Sequence, residues 1–282
     1  MNSQDNFSWE MGPEERAEVD ERMANYDGPD KVIESFIALD QIKNKPQTTV
    51  SFKYGIDGLD ELTEGGRGGE LIILSGATKN GKTLLAQSIT VNLWKQKPCV
   101  SSMWLSYEMR KEEFLKAFPE LPFFCLPDNL TGQSIKWLDR RILEARIKYN
   151  IRVVFIDHLH FLVDMSALRN ASLDLGAVVR NIKKLAINHN VLIVLLCHVR
   201  KNLIEKEPDV NDLRDSSFIS QDADSTWMVF RKKDRDTKEY TNRACVKVCN
   251  HRYTGVMDRK VSLVKVGGLL KQETINAGYP DY

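Results

Sequence analysis

Residues Gly76 to Thr83 read GATKNGKT and match the phosphate-binding spacing G-x-x-x-x-G-K-[ST] at every fixed position. Glycines at Gly76 and Gly81 let successive backbone N–H groups turn inward around an anion, and a helix starting there aims its positive end at the same phosphates. Nucleotide contacts then fall on Gly76, Ala77, Thr78, Lys79, Asn80, Gly81, Lys82, Thr83 and Leu84. Lys82 reaches the β and γ phosphates and the Thr83 hydroxyl sits on Mg²⁺. The chemistry is that of a nucleoside triphosphate, taken as ATP with Mg²⁺, although no base-reading motif is visible. A ligand-free glycine turn could share this spacing. The apolar LIILS before it and the helical spacing of LLAQSITVNLWKQ after it supply the strand and helix that a phosphate loop needs.

Hydrolysis needs further groups at the same place. Arg152-VVFID ends in Asp157 after an apolar run; packing explains the run but not the carboxylate, which suits a Mg²⁺ ligand acting through water. Glu108 follows the strand-like Ser102-MWLSY and can take a proton from water attacking the γ-phosphate. The competing reading is a solvated glutamate favoured by a helix start. His198 ends the apolar Val191-LIVLLC, placed to sense the γ-phosphate or to act as a neutral cap. Arg252, in Asn250-HRYTG, sits before a glycine turn and is either a surface arginine or a finger entering a neighbour's site. After His198 runs a long polar loop. Its Arg200, Lys201, Lys206 and Arg214 could contact a phosphate backbone, while Glu205, Glu207 and Asp209 suit a solvated loop.

These residues must be positioned by strands and helices in alternation. Strands are expected near Glu70 to Ser75, Val100 to Ser106, Arg152 to Asp157, Val191 to Cys197, Asp224 to Arg231, Arg243 to Asn250 and Val261 to Val266, with helices after the first four. The pattern implies an α/β fold with a mostly parallel sheet, its ligand beyond the carboxyl ends of the strands, and an antiparallel continuation. Residues 1–47 read as an N-terminal extension and 48–282 as one ATPase domain. In the extension, Asp30-KVIESFIALDQIKN repeats apolar residues at helical spacing, a helix that packs on its own domain or docks on a neighbouring subunit. Across 282 residues, apolar content is 42%, charged content 28% and formal net charge +1, as in an ordinary soluble protein. Any nucleic acid must then be met by a local basic patch. The five cysteines suit reduced thiols, and Cys245, Cys249 and His251 read as packing rather than zinc. No apolar run has the length of a membrane span, so no membrane partner is expected.

In order, GATKNGKT, Leu105-SYEM, Val153-VFIDHLHFL, Val194-LLCHVRK, Asp212-LRDSSFISQDADSTWMVFR and Asn250-HRYTG resemble the sequential motifs of the DnaB-type hexameric replicative helicases. His198 and the H-R-Y-T-G stretch look closer to the phage primase-helicase and Twinkle branch. The resemblance covers about Thr48 to Leu270. It implies a RecA-like P-loop NTPase core in a homo-hexamer, with nucleotide at subunit interfaces and single-stranded DNA moved 5′ to 3′ through the channel. It assigns Lys82 and Thr83 to phosphate and Mg²⁺, Glu108 to the catalytic base, Asp157 to Mg²⁺, His198 to the sensor and Arg252 to the trans finger. Channel contacts fall on Arg169, Asn170, Arg200, Lys201 and Lys206. Replisome proteins such as a primase, polymerase or loader are the implied partners, in the cytoplasm, at the nucleoid or in a phage-infected host, rather than in mitochondria. No primase or collar domain is expected before the core, and Asn250 stands where a lysine often partners the finger. Two other classes share parts of the pattern: RecA/RadA- or KaiC-like ATPases that bind without unwinding, and accessory helicase-loading ATPases.

Overall fold

The computed structural model describes residues 12–28, 30–44, 51–130, 134–159, 171–198, 221–234, 237 and 239–273. Two compact units divide the chain, Met1–Thr48 and Thr49–Tyr282. The first carries α1 (Pro13–Ala24) and α2 (Ser35–Asn44), and neither helix buries a residue. In α1, proline opens the helix, Glu14 and Glu15 occupy the first turn and Arg22 the last, all in keeping with the helix dipole. Its sequence has no apolar stripe, so periodicity does not announce it. The helix expected from Asp30 begins later, its first bond running from the Ala38 N–H to the Glu34 carbonyl. Phe36 is 80% exposed and Ile42 65%, so the apolar stripe of α2 is open.

The second unit begins with α3 (Asp57–Thr63) and continues through β1 (Leu71–Gly76), α4 (Lys82–Lys95), β2 (Ser102–Ser106), α5 (Lys111–Lys116), α6 (Ile135–Tyr149), β3 (Val153–Asp157), α7 (Ala171–His189), β4 (Leu192–His198), β5 (Ser225–Lys233), β6 (Tyr240–His251), β7 (Met257–Val266) and β8 (Leu269–Gln272). Among the described residues the strands form one eight-stranded sheet in the order β2-β3-β4-β1-β5-β6-β7-β8. Strands β2, β3, β4, β1 and β5 run parallel; β6, β7 and β8 continue antiparallel. Expected and observed strands agree in place and direction. The stretch after β4, where a fourth helix is expected, lies outside the described residues. Strand β8 was not anticipated, although the left-handed pair Gly267 and Gly268 (φ 59° and 82°) is the turn that a two-residue hairpin requires.

The central strands are apolar throughout because both faces are covered. Ile72 and Leu74 of β1 pack with Leu85, Ile89 and Leu93 of α4. Their neighbours Leu71 and Ile73 turn the other way, onto Leu138 and Ile142 of α6 and Val179 and Ile182 of α7. Cys249 packs within this second cluster. The β7–β8 hairpin closes over α4, the Leu270 N–H donating to Ser88 Oγ at 2.8 Å. Fully buried Trp104 stacks on Phe155 and its indole N–H donates to Thr90 Oγ1 at 2.9 Å. Thr90→Val keeps the shape of α4 but orphans that N–H, so it should lower stability by about 1–3 kcal/mol, read as a lower urea midpoint at unchanged slope.

Candidate functional site

Parallel pairing brings the carboxyl ends of four strands to one edge. Register sets Gly76 beside His198, Ser106 beside Asp157, and Asp157 beside Leu196. The phosphate loop thus leaves β1 next to the residues that end β3 and β4, with Glu108 just past β2. At Gly76 the chain passes so close to β5 that an added Cβ would lie 2.2 Å from the Val229 carbonyl oxygen. Only glycine fits there.

Lys82 opens α4 and is buried, its ammonium donating to the carbonyls of Gly76 at 3.0 Å and Ala77 at 3.1 Å. Burial lowers its pKa, and the nearby carboxylates of Asp157 and Glu108 oppose the fall. Thr83 Oγ1 donates to Asp157 Oδ2 at 2.8 Å. Asp157 is 1% exposed, and its Oδ1 has no hydrogen-bond partner among the described residues. Burial pushes this carboxyl up to about 6, with the Thr83 hydroxyl and Lys82 pulling against it and Glu108 adding to it. A buried, unmatched carboxylate oxygen beside a hydroxyl is a donor set of hard oxygens, which fits Mg²⁺.

Glu108 is about half exposed, and its Oε2 lies 3.9 Å from His158 Nδ1. The His158 and His198 rings meet edge to face, their centroids 4.7 Å apart. One ligand-capable atom from each of Glu108, His158 and His198 lies within 4.8 Å of the others. The edge therefore gathers an ammonium, a hydroxyl, two carboxylates and two imidazoles, a set suited to holding a triphosphate and activating water against it. His158 escaped the sequence reading, yet its position directly after Asp157 was a usable signal.

Beside the phosphate loop lies a recess of about 230 Å³ lined by Asn80, Leu84, Arg231, Arg243 and Lys265, among others. Asn80 Oδ1 accepts the Arg231 N–H at 3.1 Å, and the Arg231 guanidinium lies over the Tyr240 ring at 4.8 Å. This fixes the loop against β5. Among the expected loop contacts, Lys79, Asn80, Gly81 and Leu84 line this recess, while Gly76 and Ala77 accept from Lys82, and Thr83 donates to Asp157.

Arg252 stands apart from all of these. It follows antiparallel β6, so it falls at the amino-terminal edge of the parallel strands, where its N–H donates to the Asp224 carbonyl at 2.8 Å. The six residues of β1 separate that edge from the phosphate loop, about 20 Å at 3.3 Å per residue. Its turn is stapled: Thr254 Oγ1 lies 2.8 Å from His251 Nδ1 and donates to the Leu62 carbonyl at 2.9 Å. Beside it, buried Asp224 pairs with Lys183, and buried Glu70 accepts the Arg67 N–H at 3.1 Å. Arg169, Asn170, Arg200, Lys201 and Lys206, expected to contact DNA, lie outside the described residues.

A known family matches most of the second unit. Residues 51–119 and 120–265 match the model of the DnaB-like helicase C terminal domain. The chain belongs to this family. The DnaB-like domain is 27% identical to a probable replicative DNA helicase of Trieres chinensis, over 67% of this chain and 49% of the relative. To the replicative DNA helicase DnaB of Rickettsia typhi it is 22% identical, over 72% of this chain and 49% of the relative. The chain thus spans about half the length of the curated relatives it matches. Among solved structures, a DnaB-like replicative helicase described with its interactions with primase aligns at a TM-score of 0.70 and 21% identity, over 91% of this chain and 70% of that one. A second solved structure, described as an ATPase domain, aligns at a TM-score of 0.70 and 20% identity, over 85% of this chain and 97% of that one. The fold of the DnaB-like domain is RecA-like, as the motif order implied. Among the described residues no helix is long and apolar enough to cross a membrane.

Burial raises Glu70 to about 7, an effect opposed by the Arg67 N–H and charge and reinforced by Asp224. A carboxyl whose folded value lies above its unfolded one is most stabilising when protonated, and that contribution is lost as pH rises through the folded value. Glu70→Gln removes the dependence. Urea denaturation should show the variant gaining roughly 2–3 kcal/mol on the wild type between pH 5 and pH 8.

Proposed function

We propose that this chain is the motor of an ATP-driven helicase that forms a homo-hexameric ring and moves along single-stranded DNA. The observation carrying this is the division of the catalytic set between two edges of one sheet. Lys82, Thr83, Asp157, Glu108 and His198 stand at the carboxyl edge, Arg252 about 20 Å away at the other. No rearrangement short of unfolding β1 lets Arg252 serve its own phosphate loop. A head-to-tail contact, which closes into a ring when its rotation permits, brings one subunit's amino edge to the next subunit's carboxyl edge.

In that interface Lys82 neutralises the β and γ phosphates, and Thr83 with Asp157 holds Mg²⁺, which supplies charge stabilisation for the transferring phosphoryl group. Glu108 takes the proton of the attacking water, and His198, leaning on His158, touches the γ-phosphate. The neighbour's Arg252 role is the finger that meets developing negative charge. The recess beside Arg231 holds the nucleoside end. Arg169, Asn170, Arg200, Lys201 and Lys206 track the DNA backbone in the channel, which makes binding sequence-independent. The open apolar stripe of α2 docks on an adjacent subunit and ties the ring together. A primase, polymerase or loader is assigned as a partner acting in the cytoplasm, in keeping with the primase interactions described for the structural neighbour.

A forked DNA with ATP tests the reading: strand separation is expected, and DNA-stimulated hydrolysis with no separation would place the chain among ATPases that bind without unwinding. Glu108→Gln should cut turnover by at least about 10²-fold while a fluorescent ATP analogue still binds. Turnover near wild type would remove Glu108 from the base role. Replacing Lys201 with Ala should lower the log–log salt slope of single-strand affinity by about 0.7, and an unchanged slope would take this lysine off the backbone.

A further inference from the structure

Asp224 ends the polar stretch before β5 and is 2% exposed, with three elements converging on its carboxylate. Oδ2 accepts the Leu71 N–H, where β1 begins, at 2.8 Å, and also the ammonium of Lys183 from α7. Lys183 is itself fixed by donating to the Gly69 carbonyl at 2.7 Å. Oδ1 makes no hydrogen bond among the described residues and faces Nη1 of Arg252 at 3.3 Å. The Asp224 carbonyl accepts the Arg252 N–H at 2.8 Å, so backbone and side chain of one residue grip both ends of the other.

The charge balance gives this contact its meaning. Lys183 alone neutralises the buried carboxylate, so fold stability does not call for a second cation. The Arg252 side chain remains 55% exposed, with one Nη turned inward and Nη2 reaching the Gln221 carbonyl at 3.5 Å. An unanchored arginine at a surface turn would have to give up its rotamer freedom in any contact it makes. An aimed one has already lost it.

We propose that Asp224 is a positioning residue for the finger: its free oxygen holds the Arg252 guanidinium in the direction from which the adjoining subunit's γ-phosphate is met. The proposal rests on the reading of Arg252 as a finger in trans. Asp224→Asn keeps the oxygen that receives the Leu71 N–H but weakens the hold on both cations. It should lower DNA-stimulated turnover about 10- to 100-fold, the scale of a misplaced catalytic group, with KM for ATP unchanged.

Subunit mixing distinguishes aim from architecture. Lys82→Ala has a dead phosphate loop and a sound finger edge; Asp224→Asn has the reverse. Mixed rings should hydrolyse ATP well above the sum of the two parents, as should rings of Lys82→Ala with Arg252→Ala. If only the Arg252→Ala mixture recovers, the finger stands and the role of Asp224 falls. If the Arg252→Ala mixture also stays silent, the trans reading fails and the proposal with it. A second measurement guards against misfolding: in an Arg252→Ala background, Asp224→Asn should change turnover less than about twofold, since there is no finger left to aim. A further large loss in that background would make Asp224 a structural residue and overturn the proposal.

Discussion

Burial of both faces of the parallel strands is the constraint from which the rest of the molecule follows. Side chains along β1, β3 and β4 alternate between two apolar layers, so polar chemistry can appear only where a strand stops. Parallel direction then collects those stops on one edge. Asp157 illustrates the tension: the layer that positions it also desolvates it, and its raised pKa records the cost of a carboxylate held ready in an apolar setting. Lys82 shows the same in mirror image, its ammonium folded back on the carbonyls of its own loop.

Much of this was legible in the sequence because the signals are local. GATKNGKT carries its own geometry, and an apolar run ending in Asp157 or His198 announces both strand and chemistry. What escaped is of two kinds. Some local signals were present but unused, such as His158 next to Asp157 and the Gly267–Gly268 turn before β8. Others are inherently distant: Asp224 accepts the N–H of Leu71, which lies 153 residues earlier in the chain. The separation of Arg252 from the phosphate loop follows from β6 running against β5, the antiparallel continuation that the strand pattern implied. Helix α1 gave no signal because a helix with polar residues on every side leaves no period to read.

The two edges differ in kind as well as place. The carboxyl edge offers oxygens and imidazoles around an open space, with Asp157 Oδ1 unmatched. The amino edge instead pairs carboxylates with cations of the same chain: Glu70 with Arg67, and Asp224 with Lys183 and Arg252. One edge leaves oxygens and imidazoles around a space, the other ties its charges to one another. Such asymmetry is what a heterologous interface uses, since each surface need fit only its opposite.

Strand β1 joins these edges directly, with the phosphate loop leaving its last residue and Asp224 bonded to its first. It acts as a ruler. The distance between the phosphate loop and Arg252 is set by the number of residues in one fully buried strand, and nearby loops have no say in it. Lengthening a surface loop should leave that spacing intact, whereas adding a residue pair to β1 would shift the phosphate loop relative to Arg252 by about 6.6 Å. In evolutionary terms the strand's length is then harder to change than its sequence: apolar residues can be exchanged within it, but not added.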